Sequence, residues 1–452
     1  MPLQNPAYSL LVGAALACSP NHPILNDMKL KQLKLIDFRP FKTLNIEFGE
    51  QLTVLVGING AGKTSILDAL AIMLSRLFAR IRSTKGTGRF FTDSDIRKGA
   101  SETANSIDIE YNQTLFSWQV AKTKRGKKKQ TATNLTVFKS IVEHLYDSLE
   151  QNEQNSVPLS VFYGVNRAVL EVPLRVRTKH ELDQFSSYDQ ALTGSHHDFH
   201  RFFEWYRGRE DFENEQKLYP VEHINQKERA NLHYQEPQLQ AVRKAILALT
   251  GFSNLRVKRA PLQMEVCKDH QHFDVRQLSD GEKCLLALVG DLAHRLAIAN
   301  PDMNDPLEGQ AIILIDEVEL HLHPEWQHRV IPKLLETFPN CQFIITTHSP
   351  LVLTYVHCQN IWCLKQTEHG IEAVQPDGTY GQDSNFLLKT LMGSSYRPKE
   401  IDKHIHHLFE VIRQDTSEAR ELLNQLKSEV EGDSPDLVRA ETLLHRREVM
   451  NQ

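Results

Sequence analysis

An α/β fold with a mixed sheet, a mainly helical insertion and a C-terminal helical region is what this 452-residue sequence predicts. Three observations predict it. Strand-length apolar runs occur at 29–57 and again at 311–347, on either side of a long polar middle. The first group feeds directly into a glycine-rich loop and an apolar helix, GINGAGKTSILDALAIM. The middle and the tail instead show apolar residues at helical spacing.

Composition sets the bounds. A net charge of −5 and 40% hydrophobic residues are ordinary for a soluble globular protein. Any contact with nucleic acid must therefore come from a local basic patch. Six cysteines form no CxxC pair, and Cys284 and Cys341 lie in apolar runs. This favours reduced thiols in a cytoplasmic protein over a disulfide framework or a zinc site. The apolar run Leu10 to Cys18 is too short to span a bilayer and lacks a basic flank, so no membrane association is expected. A lipoprotein-type cleavage site at Cys18 is the lesser reading. Met28 reads as a natural start, with 1–27 as an extension.

Residues 28–169 read as the first half of a nucleotide-binding head. KLKQLKLIDF, LNIEF and QLTVLVG are strands, and two more fall within 107–121. Lys122 to Lys129, KTKRGKKK, has Gly126 at what reads as a hairpin tip. Two readings stand for it: a solvated loop, or a finger that contacts DNA phosphates. From 170 to 254 the pattern is helical, with aromatics recurring in HHDFHRFFEWYRGREDF. Residues 255–380 return to strands and close the head. The tail, 381–452, reads as three helices. Ile401, Ile405, Leu408, Phe409 and Ile412 make one apolar face, and Leu422, Leu423, Leu426 and Val430 another. These faces pack onto the head or dock a partner. No sustained heptad indicates a long coiled coil.

The chemistry concentrates in four segments. Asn59, Gly60, Ala61, Gly62, Lys63, Thr64 and Ser65 lie in a GxxxxGK[ST] loop between strand and helix. Such a loop brings backbone N–H groups against phosphate oxygens, so side chains must be absent. Lys63 then reaches the β- and γ-phosphates of ATP, and the Thr64 hydroxyl binds Mg²⁺. AIILIDE is a buried strand ending in Asp316, a second candidate Mg²⁺ ligand, and Glu317, a candidate to polarise water. His348 ends a later strand, CQFIITTHSP. Ser279, Gly281 and Glu282 open a helix in QLSDGEK, where a helix N-terminus favours anions. His196, His197 and His200, and His404, His406 and His407, read as surface histidines, because a closed zinc site needs four ligands.

Taken together, FRPFKTLNIEF, VLVGINGAGKTSILDAL, DIRKGA, YGVNRAV, LSDGEK, LIDEVELHLHP and TTHSP resemble the RecF/SMC-like branch of ABC-type ATPases. More narrowly, they resemble the ATPases of prokaryotic antiphage systems, above all PtuA of the Septu system. The resemblance implies an ABC-type P-loop head with Walker A at Gly57–Thr64, the signature at Ser279–Lys283, Walker B at Asp316 and Glu317, and a switch histidine at His348. It places Arg39 near the nucleotide, and Asp95 and Arg97 where a Q-loop falls, with no glutamine there. In such heads the signature lies too far from its own P-loop to share one ATP. The resemblance therefore implies a head-to-tail homodimer, or a higher oligomer, with two ATPs at the interface. It also implies a separate HNH endonuclease subunit, PtuB-like. Only about 70 helical residues follow 380, too few for the Toprim domain of OLD-family nucleases. Two alternatives stand beside this reading: a RecF-like DNA-repair ATPase, which shares the head, and a transporter nucleotide-binding subunit, which differs in class. More than 200 residues between P-loop and signature disfavour the transporter.

Overall fold

The computed structural model describes residues 27–165, 183–194, 199–218, 234–368, 370–395, 397–432 and 434–450. The expected extension, up to residue 26, and His196 and His197 lie outside the described residues.

Strand β1 (Met28–Phe38) folds back on β2 (Phe41–Glu47). Strand β3 (Leu52–Gly57) then enters a different sheet and runs into α1 (Lys63–Arg82). Strands β4 (Glu102–Tyr111) and β5 (Thr114–Thr123) complete an antiparallel sheet ordered β2-β1-β4-β5. In β4 every second residue is buried, from Thr103 to Tyr111, as one covered face and one wetter face require. Helix α2 (Phe138–Gln151) follows and leads to β6 (Leu159–Tyr163).

The middle of the chain supplies α3 (Phe199–Leu218), α4 (Pro237–Thr250) and a three-stranded sheet of β7 (Ser253–Arg259), β8 (Leu262–Lys268) and β9 (Gln271–Asp274). Helix α5 (Asp280–Ala299) then crosses the core, buried along almost its whole length. At its Gly290 α3 comes close: a Cβ there would lie 3.1 Å from the Phe202 ring, a tight contact. Tyr206 anchors the same helix by donating its hydroxyl to the Leu255 carbonyl at 2.6 Å.

The remaining strands finish the sheet that matters most. They are β10 (Ala311–Ile315), β11 (Gln342–Thr347), β12 (Ile361–Thr367) and β13 (Gly370–Val374), with α6 (Pro324–Thr337) and α7 (Pro350–Leu353) between them. The order is β13-β12-β3-β11-β10-β6, all parallel except the edge strand β13. Strands β3, β6, β10 and β11 are buried at every residue, which explains why none of them alternates apolar with polar residues. Parallel strands point the same way, so the loops after β3, β10 and β11 gather at one edge.

Gln342 ties the two large sheets together. It is fully buried; its side-chain oxygen accepts from the Leu30 N–H at 2.7 Å. Its amide donates to the carbonyls of Leu30 and Gly49, both at 2.8 Å. One side chain thus pairs with β1 as a strand backbone would, with both ends of its own buried amide satisfied.

After α8 (Ser384–Met392) come α9 (Lys399–Val411), α10 (Thr416–Glu429) and α11 (Pro435–Met450). Ile405, Leu408, Ile412, Leu423 and Leu426 are buried, but against one another and α11, in a core distinct from that of the head. The apolar faces of the tail therefore satisfy each other. Removal of 397–452 should leave the head folded, with its thermal midpoint moved by no more than about 2–4 °C, the scale of a one-kcal/mol change. Calorimetry checks this; loss of a cooperative transition would show that the bundle supports the head.

Candidate active site

The loop after β3 is shaped by what it lacks. Gly62 sits at φ +91°, and a Cβ there would lie 2.4 Å from the Phe41 ring. Gly60, at φ +82°, faces open space. Ile58, Asn59 and Gly60 form the exposed crest, while Ala61 is buried beneath it. No side chain caps the start of α1 and its first turn has no acid, a helix N-terminus whose chemistry suits an anion.

Lys63 is almost fully buried, and its ammonium donates to the carbonyls of Gly57 at 2.8 Å and Ile58 at 3.2 Å. Burial pushes its pKa below the ordinary lysine value, against the pull of Asp316, Glu317 and Glu319.

Asp316 is the meeting point. Its own N–H donates to the Tyr163 carbonyl of β6 at 2.8 Å. One carboxylate oxygen accepts from the Thr64 hydroxyl at 2.9 Å, the other from the Thr346 hydroxyl at 2.5 Å. Thr346 Oγ1 also accepts from the Glu317 N–H at 2.7 Å. Glu317 stands at φ +47°, a conformation that costs a non-glycine residue and persists only when neighbours hold it. The Thr346 hydroxyl and the Val318 N–H to Thr346 carbonyl bond, 3.1 Å, supply that hold.

His348 is placed by Glu319, which accepts from its backbone N–H at 2.5 Å and from the Thr347 hydroxyl at 2.7 Å. Its Nδ1 comes within 3.5 Å of the Lys63 ammonium. Burial first, and the Lys63 charge second, lower its pKa from the usual histidine value, so near pH 7 the ring is neutral.

The structure thus brings together Lys63, Thr64, Asp316, Glu317 and His348 from three strand ends. Thr346, Thr347 and Glu319 were not singled out from the sequence. The Thr-Thr pair before His348 and the acid two residues after Glu317 were the available signals.

Arg39 lies close by, its guanidinium 3.5 Å from the Ser65 hydroxyl. It is held by Asp68 at 2.8 Å and Asp95 at 2.9 Å. Asp95 is otherwise occupied by the Thr92 N–H and hydroxyl, and not by Thr64 or Asp316. Arg97 faces Asp37 at 3.6 Å.

The signature segment forms a separate feature. Ser279 caps α5, and its hydrogen bonds run to Glu282 within the same box. Glu282 is also paired with Lys268 at 2.6 Å. Gly281 leaves no room for a side chain, since a Cβ would lie 2.3 Å from the His321 carbonyl. A cavity of about 470 Å³ opens beside it, lined by Ser279, Gly281, His321 and Trp326 among others. Ser279 itself is exposed and is not hydrogen-bonded to the phosphate-binding loop of its own chain. Among the described residues no group of three His, Cys, Asp or Glu side chains is arranged as a metal site, and no helix is long and apolar enough to cross a membrane.

Two sequence families match the chain: an AAA domain over residues 32–250, and an AAA domain described as a putative AbiEii toxin of a type IV TA system over 171–354. The retron Ec83 probable ATPase of Escherichia coli is 32% identical over 428 residues, covering 83% of this chain and 78% of that one. The retron Vc95 probable ATPase of Vibrio cholerae serotype O1 biovar El Tor is 30% identical over 423 residues, covering 83% and 81%. The Septu protein PtuA of Bacillus thuringiensis is 23% identical over 328 residues, covering 71% and 72%.

Thr346→Val tests the arrangement. Hydrogen bonds to charged groups contribute about 1.5–3 kcal/mol each. Losing the Thr346 hydroxyl should slow ATP turnover roughly ten- to a hundredfold while leaving ATP affinity within a few-fold. Unchanged turnover in a steady-state assay would mean that Asp316 and Glu317 need no such support.

Proposed function

Because the chain belongs to the family of the retron probable ATPases, we propose that it binds ATP with Mg²⁺, hydrolyses it as a dimer, and through that cycle controls a partner HNH endonuclease in antiphage defence. The observation that carries the reading is the Thr64–Asp316–Thr346 chain beside Lys63.

The residues fit the ligand. Gly60 and Gly62 carry no side chain where the loop turns into α1, and no side chain caps the first amides of that helix. The Thr64 hydroxyl and the Asp316 carboxylate are hard oxygen donors 2.9 Å apart, suited to Mg²⁺. The ion, when bound, would be held by these two groups and would offset charge on the terminal phosphates. Lys63 exchanges the carbonyls of Gly57 and Ile58 for phosphate oxygens. Glu317 orients and polarises the attacking water. His348, beside Lys63, stands where its ring offers the γ-phosphate a hydrogen bond.

The dimer supplies the missing half. Ser279, Gly281 and Glu282 stand at an exposed helix N-terminus whose serine makes no bond to the P-loop of the same chain. Two-fold symmetry lets each copy complete the other's ATP site. The similarity to PtuA supports a place in a two-component defence system, with a PtuB-like HNH subunit as partner.

The test uses complementation. Lys63→Ala should abolish most ATP binding, and Glu317→Gln should bind ATP but turn it over about 100-fold more slowly or worse. Mixing Lys63→Ala with Ser279→Arg protein should restore roughly a quarter of wild-type turnover, since half of randomly formed dimers hold one intact site. No recovery, with mixed dimers shown to form, would overturn the shared site. Pull-down of an HNH subunit with and without ATP then tests the partner.

A further inference from the structure

A second surface lies at the far end of α1 and takes no part in the ATP site. The segment after that helix, 83–91, turns back and lies along it. Only glycine permits the fit: a Cβ at Gly86 would lie 1.9 Å from the Ala79 carbonyl, and one at Gly88 2.4 Å from the Ser75 carbonyl. The Arg89 N–H donates to the Ser75 hydroxyl at 2.8 Å, and its guanidinium donates to the Leu192 carbonyl at 2.8 Å. Phe91 points inward and meets Phe38 edge-on at 5.4 Å. Its neighbour Phe90 points outward and is 59% exposed.

This exposed ring is prepared on one side. The Arg76 guanidinium sits 4.5 Å from its centroid. Arg76 Nε is buried with no hydrogen-bond partner, and burial followed by the Arg80 charge lowers the Arg76 pKa. Among the described residues, Arg76, Arg80 and Lys85 pair with no carboxylate. Within the segment Arg89 faces Asp68 at 3.8 Å, while Asp93, two residues beyond it, binds the second basic element. Its carboxylate meets Lys122 at 3.1 Å and accepts from the Arg125 N–H at 3.4 Å. The turn 124–129 is thereby fixed beside the loop, with all five of its basic residues exposed. Cations are concentrated here on a chain whose net charge is −5.

From this juxtaposition we infer that the Arg76–Phe90 stack and the 124–129 turn form one binding surface for single-stranded nucleic acid. The turn follows the phosphate backbone, and an unpaired base stacks on the open face of Phe90. A positive track joined to an aromatic face is the combination that holds unpaired strands without reading sequence. A duplex could use the cations alone, because its bases are already stacked on each other.

The experiment measures fluorescence anisotropy of a labelled oligothymidine of about 30 nucleotides and a duplex of equal length, with the full chain. Phe90→Ala should weaken single-strand binding roughly 5- to 100-fold, the range of one lost base stack, and leave duplex binding nearly unchanged. Phe90→Trp should restore it. Replacing the Lys and Arg residues of 124–129 by Ser should weaken both ligands and flatten the single-strand salt slope by about 0.7 per lost contact. ATP turnover of Phe90→Ala should equal that of the parent, which reports that the variant is folded. Equal single-strand affinity for Phe90→Ala, equal losses on both ligands, or no single-strand binding by the parent protein would each overturn the proposal.

Discussion

The carboxylate of Asp316 is the constraint on which the site depends. It accepts one hydroxyl from the helix that follows the phosphate loop and one from the neighbouring strand, at 2.9 and 2.5 Å. Three segments that are far apart in sequence are thereby held at one point. The same Thr346 hydroxyl accepts the Glu317 N–H, so the strained backbone of Glu317 is fixed by the group that fixes its neighbour. Preorganisation of this kind lowers the reorganisation that catalysis would otherwise require.

The sheet makes that meeting possible. Strands β3, β11 and β10 are adjacent and parallel, so Lys63, His348 and Asp316 emerge at the same edge. The antiparallel sheet is tied to the far end of β11 through Gln342, and reaches the phosphate loop through Phe41, which lies against Gly62. The helix carrying the signature leaves the same core but presents Ser279 to solvent. In the function proposed above, it is a second copy that would bring its Ser279 to this edge.

Much of this was legible in the sequence because phosphate chemistry demands particular residues. A loop that must bring amides to phosphate cannot carry side chains, so Gly60 and Gly62 stand out beside Lys63 and Thr64. A buried strand ending in two acids is equally distinctive. The supporting residues were not legible, for a physical reason. Thr346 and Gln342 are ordinary polar residues within or at the start of an apolar strand, and their roles depend on which strand lies next to them. Local periodicity carries no information on that pairing. The tail shows the same limit. Its helices and their mutual packing were readable from the apolar faces, but that this packing forms a core separate from that of the head was not. Arg39 is a third case: Asp68 and Asp95, which hold it beside Ser65, are set by the fold and not by any local pattern.

The account is tested most directly by the Mg²⁺ dependence of nucleotide affinity, measured by calorimetry on the wild-type chain and on Asp316→Asn. If the Asp316 carboxylate organises the site, Mg²⁺ strengthens binding of a non-hydrolysable ATP analogue to the wild type. In Asp316→Asn that strengthening is lost, while Mg²⁺-free binding persists through the loop and Lys63. An equal Mg²⁺ effect in both proteins would contradict the central place given to Asp316.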